Sequence, residues 1–101
     1  MAYTLFYDSM RFLKKVVRSN KPVKVRRMKL TDDVEGLCIE KSDHFLIKVS
    51  NELTMSHAID VMIHEFAHVE AWGKQRDAHG SVWGKCYSRL FREYYDGFLA
   101  N

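Results

Sequence analysis

The sequence predicts an α+β fold: an amino-terminal helix, a three-stranded antiparallel sheet, a central helix and a carboxy-terminal helix. Three observations carry that prediction. Apolar residues recur at helical spacing in three separate segments. Between the first and second of these lie three short stretches with strand-like composition, divided by turn clusters. At 101 residues the chain has room for one core and no more, so residues 1–101 are read as a single domain.

The first helix is expected over about residues 4–19, where Phe6, Met10, Leu13 and Val17 form a stripe that Phe12 and Val16 broaden. Pro22 closes it, because the residue before a proline is biased out of the helical region. Val23 to Met28 begins by alternating apolar and basic residues, the period of a half-exposed strand. Thr31-Asp32-Asp33 is a turn, and Val34 to Glu40 a second strand with Gly36 as a bulge. His44 to Ser50, with its Phe45-Leu46-Ile47-Lys48-Val49 centre, is the third, and the order suggests a meander. Thr54 is the expected N-cap of the central helix, residues 54–72, and Gly73 its stop. In that helix Met55, Ile59, Met62, Phe66 and Val69 form the stripe that packs on the sheet. His57, Val61, His64, His68 and Trp72 form the adjoining one. The last helix covers about residues 80–98.

Composition excludes several classes. Nearly half the residues are hydrophobic, so the chain is not disordered, and no apolar run is long enough to span a bilayer. Met1 to Met10 lacks a basic segment followed by an apolar core, so no secretory signal is expected. Cys38 and Cys86 suit neither a disulfide framework nor a metal knuckle; they read as small buried hydrophobes in a reducing, cytoplasmic setting. Charge is uneven. Residues 1–30 carry a net +8 and the remainder −5. The basic segment suggests an anionic partner such as DNA, through Arg11, Lys14, Lys15, Arg18, Lys24, Arg26 and Arg27. Lysines that protect an exposed strand edge would give the same count.

The sharpest signal is His64-Glu65-Phe66-Ala67-His68. Histidines four apart on a helix share a face, so both imidazoles can reach one ion. The pattern arises by chance in about 0.3% of chains this long at average residue frequencies, which makes accident a poor explanation. A catalytic zinc usually takes three protein ligands and keeps a fourth position open. The third ligand must come from elsewhere. Glu70 lies on another face of the same helix, while Asp77 could bind or merely orient a ligand. His79, at the start of a helix able to pack back on the first, is favoured. Glu65 is then the general base toward water activated by the metal. The oxyanion donor is not legible: Tyr87, Tyr94, Tyr95 and Arg76 are weak choices. His57 lies two turns before the motif, too far for the same ion, and His44 reads as a surface residue.

His64-Glu65-x-x-His68 followed by Asp77-Ala78-His79-Gly80-x-x-Trp83 resembles the SprT-like (Spartan) zinc metalloprotease domain. The likeness covers roughly residues 34–95 and is most specific over 57–83. It implies zinc ligands His64, His68 and His79, a catalytic Glu65, a compact zincin-like fold and protein substrates. Relatives of this kind act on proteins held on DNA, an implication that the basic amino-terminal segment fits. Many also carry a cysteine-rich ribbon or further DNA-binding segments, and residues 1–101 show neither pattern. DNA contact is therefore expected from the basic helix and strand. Two other readings stay open: a small nucleic-acid-binding protein with a structural zinc, and a regulatory zincin cutting one dedicated partner. The second would draw its third ligand from an acid such as Asp77 or Glu93.

Overall fold

The computed structural model describes residues 2–74 and 77–100. Helix α1 (Ala2–Val16) precedes strands β1 (Val23–Met28), β2 (Gly36–Glu40) and β3 (Phe45–Ser50). Helix α2 (Met55–Ala71) and helix α3 (Ser81–Arg92) follow, and α3 continues as a wider π-type segment over Glu93–Leu99. The α+β class and the order of elements are as the sequence predicts.

The sheet is not an antiparallel meander. Its order is β1-β3-β2, with β1 parallel to β3 and β2 antiparallel to β3. The physical reason lies in composition. β3 buries Phe45, Ile47 and Val49 almost completely, whereas no residue of β2 is fully buried. The most apolar strand therefore takes the centre, where both its edges are paired. The link over residues 29–35 must then cross the end of β3. Ser50 N–H donates to the Glu35 carbonyl and Asn51 N–H to that of Met28, each at 2.9 Å, which pins the crossing on both sides.

One sheet face packs on α2, whose Ile59, Met62, Phe66 and Val69 are buried. Phe6 and Leu13 of α1 close the core from another side. Ser9, buried on the same helix, bonds the Tyr94 hydroxyl at 2.6 Å and ties α1 to the π-type segment. Thr54 caps α2 by accepting from His57 N–H, and the helix ends at Trp72, with Gly73 at φ 72° where a side chain would be strained. Glu70 is buried and locks three helices together. It accepts from Arg89 of α3 and, at 2.9 Å, from the Arg18 N–H just after α1, while Arg89 also donates to the Val16 carbonyl.

The basic residues do not form one surface. Val23, Val25 and Arg27 face the core side of the sheet, so Lys24 and Arg26 project from the other face. Arg27 lies over the Phe6 ring and donates to the Leu53 carbonyl at 2.6 Å. It is a structural group turned inward. Arg11, Lys14, Lys15 and Arg18 are exposed on or just beyond α1, with Arg11 paired to Asp8.

Candidate metal centre

His64 and His68 stand one turn apart on α2, and His79 arrives from the loop before α3. That loop is held by its own polar groups: Asp77 accepts from His79 N–H through its carboxylate, and its carbonyl accepts from Gly80 N–H. The Nε2 atoms of the three histidines form a near-equilateral triangle. The sides are 3.1 Å (His64–His68), 3.1 Å (His68–His79) and 3.3 Å (His64–His79). These residues are the group able to hold a metal ion among those described.

The triangle fits an ion better than it fits a hydrogen-bonded cluster. If each Nε2 is bare, three lone pairs face one another and repel; a cation among them turns that repulsion into ligation. A tetrahedron with metal–nitrogen bonds of 2.0–2.1 Å has edges of about 3.3–3.4 Å, close to the observed sides. Burial, with the His64 and His79 imidazoles, lowers the pKa of His68 to about 4, and burial with His79 lowers that of His64. At pH 7 both rings are therefore neutral, the state in which imidazole binds a metal.

Trp83 is the plate behind the rings. Its indole lies 4.9 Å from His64, 5.5 Å from His68 and 4.9 Å from His79, centroid to centroid, and its N–H donates to the His64 carbonyl. Tyr87 stacks on Trp83 and also reaches the edge of His64, its ring 6.3 Å away. Orientation of the ligands thus comes from packing against α3 as well as from α2 itself.

Glu65 is buried, and its carboxylate accepts no hydrogen bond from any described residue. Burial pushes its pKa up to about 7, near that of an effective base at neutral pH; a cation alongside would draw it down again. The carboxylate borders an open cleft of about 870 Å³ between α2 and the start of β2, lined in part by Gly36, Leu37, Val61, His64 and Tyr87. Gly36 is not a bulge, since its pairing with Val49 continues in register through Glu40. It is a point of close approach. A Cβ there would meet Val61 Cγ1 at 2.6 Å and Glu65 Oε2 at 3.1 Å. Sequence reasoning missed this contact, because nothing local marks which strand passes over Glu65.

The other expected residues fall elsewhere. Neither Asp77 nor Glu93 joins the cluster, and Glu70 is committed to Arg89. His57 pairs with Glu35 at 3.1 Å and His44 with Asp43 at 2.6 Å. The Tyr94 hydroxyl is bound to Ser9 and that of Tyr95 donates to Asp60, which leaves Tyr87 facing the cleft. Arg76 lies outside the described residues. Both cysteines are free and only partly exposed, and burial raises the Cys38 thiol to about 12. No helix is long and apolar enough to cross a membrane among the described residues. No family model, curated protein or solved structure matches the chain, so what can be said of its chemistry rests on this geometry.

Proposed function

We propose that the protein is a zinc-dependent endopeptidase of the SprT-like type. The observation that carries the reading is the Nε2 triangle of His64, His68 and His79, opening beside Glu65 on a cleft with a strand edge. Three imidazoles suit zinc among the common divalent ions. Zinc held there supplies a Lewis acid that polarises a carbonyl and makes water easier to deprotonate.

The protein's own groups do the rest. Glu65 accepts the proton of the attacking water and returns it to the departing amine, a role suited to a carboxylate on the cleft wall that has no hydrogen-bond partner among the described residues. Trp83 and Asp77 fix the ligand rings and the loop that brings His79. β2 is paired on one side only, so its other edge offers backbone groups to an extended peptide running along the cleft. A folded substrate has no such free backbone, which favours unfolded segments or loops. The free thiols suit the reducing cytoplasm. The exposed cations of the α1 region, and Lys24 and Arg26 across the sheet, are the groups that would hold such an enzyme near DNA.

Replacement of Glu65 by Gln tests the reading. Zinc content should stay at that of wild type while casein cleavage falls by roughly 100-fold or more. Cleavage by the variant at the wild-type rate, or none by zinc-loaded wild type, refutes it. A structural-zinc reading gains nothing from a buried carboxylate beside the histidines.

A further inference from the structure

The cleft beside the histidines has a charge that the rest of the molecule does not share. Its lining includes four carboxylates, Asp33, Glu35, Asp60 and Glu65, and no lysine or arginine. The adjoining depression along the same crossing loop adds Asp32 and Glu52. Residues 31–65 hold eight acids and two lysines, a net −6, in a chain whose total is +3. The crossing of 29–35 over β3 brings Asp32, Asp33 and Glu35 to the cleft, where α2 already places Asp60 and Glu65.

We propose that the cleft selects basic peptide segments, with lysine or arginine side chains seated against Asp60 and Glu35. The proposal rests on the cleft being a peptide site, and its independent supports are the free edge of β2 and the adjoining metal centre. Both carboxylates have capacity left for a ligand. Asp60 Oδ1 accepts from the Tyr95 hydroxyl, and Glu35 Oε2 pairs with His57, so each keeps a second oxygen without a partner among the described residues. Tyr95 and His57 also hold these carboxylates in place.

Helix geometry gives the spacing. Asp60 precedes His64 by four residues, or about 6 Å along α2, and His57, which carries Glu35 with it, lies about 10 Å back. An extended peptide advances about 3.3 Å per residue. The basic side chains are therefore expected two and three residues from the bond held at the histidines, on the side toward the amino-terminal end of α2. A carboxylate on the peptide at those places meets like charge.

The test measures binding and cleavage separately. Zinc-loaded Glu65→Gln protein is titrated, by fluorescence anisotropy, into labelled ten-residue peptides carrying arginine, glutamine or glutamate pairs in one fixed frame. The arginine peptide should bind roughly tenfold tighter than the glutamine one, with the glutamate peptide weaker than both. The preference should shrink in 0.5 M salt, and should fall at least threefold in Asp60→Asn with Glu35→Gln, at unchanged zinc content. Equal binding of all three peptides, or a preference untouched by the double substitution, overturns the proposal. Charge preference in binding without cleavage of any peptide by wild type leaves the acidic site standing and refutes the peptidase instead.

Discussion

Gly36→Ala probes a close contact between the sheet edge and the proposed base. The added Cβ lies 2.6 Å from Val61 Cγ1, where ordinary contact begins near 3.4 Å, so the two must part by about 0.8 Å. Val61 cannot easily yield, because a β-branched side chain in a helix has essentially one rotamer. The strain falls on the backbone and costs about 1–3 kcal/mol. Alanine also stiffens the unfolded chain, which offsets about 0.4–1 kcal/mol. Strain wins, leaving a net loss of about 1.5 kcal/mol and a Tm lower by roughly 6–12 °C. Glu65 must also give way, since its Oε2 and Cγ lie 3.1 and 3.3 Å from the new methyl. Displacement of a base by a fraction of an ångström should lower peptide cleavage by roughly 10- to 100-fold with zinc still bound. Calorimetry, elemental analysis and a casein assay on the same preparations separate these effects. A double cycle with Val61→Ala supplies the control: the Gly36→Ala penalty should shrink when Val61 is cut back. A variant with wild-type Tm would show that β2 does not press on α2 here and would refute the reasoning.

The metal triangle and the Glu70 lock give two further predictions. Zinc at about 1,000 times its Kd stabilises the fold by about 4 kcal/mol, so its addition should raise the wild-type Tm by more than roughly 10 °C and leave His79→Ala nearly unmoved, as read by calorimetry with and without chelator. Glu70→Gln should cost about 2 kcal/mol at pH 7 in urea unfolding, since Arg89 loses a charged acceptor. Burial opposes the Glu70 charge, but bonds from Arg89, the Arg18 N–H and Cys86 outweigh it and lower the pKa. Its contribution is therefore complete above the unfolded carboxylate value of about 4.3 and fades as pH falls through the lower folded value, so variant and wild type should converge as pH drops below it.

Much of this was legible in the sequence because local physics decides it. Helical spacing found α1, α2 and α3, Thr54 and Gly73 marked the ends of α2, and the spacing of His64 and His68 fixed two corners of the triangle. Arg27 was miscounted as surface charge although a signal was present. The alternation Val23, Val25 already puts position 27 on the inward face, opposite Lys24 and Arg26. Strand neighbours are a different matter. Period-two alternation identifies a strand without naming its partners, and sequential pairing is only the commoner choice. Here the apolar run Phe45–Val49 takes the centre and displaces β2 to an edge.

That displacement decides the site. In a meander β2 would be paired on both sides, leaving no backbone edge beside Glu65, and the link from β1 to β2 would be a hairpin turn. With β3 between them the link must cross the sheet end, which carries Asp32, Asp33 and Glu35 to the mouth of the cleft and sets Gly36 against Val61 and Glu65. His64, Glu65 and His68 were readable because one helix holds them. The cleft wall beside them was not, because it comes from residues some thirty positions earlier, brought in by a pairing that the hydrophobicity of a third strand controls. The histidine pair on α2 follows from local spacing and the cleft from topology, which is why Gly36, far from either histidine in sequence, is the position at which the two can be uncoupled.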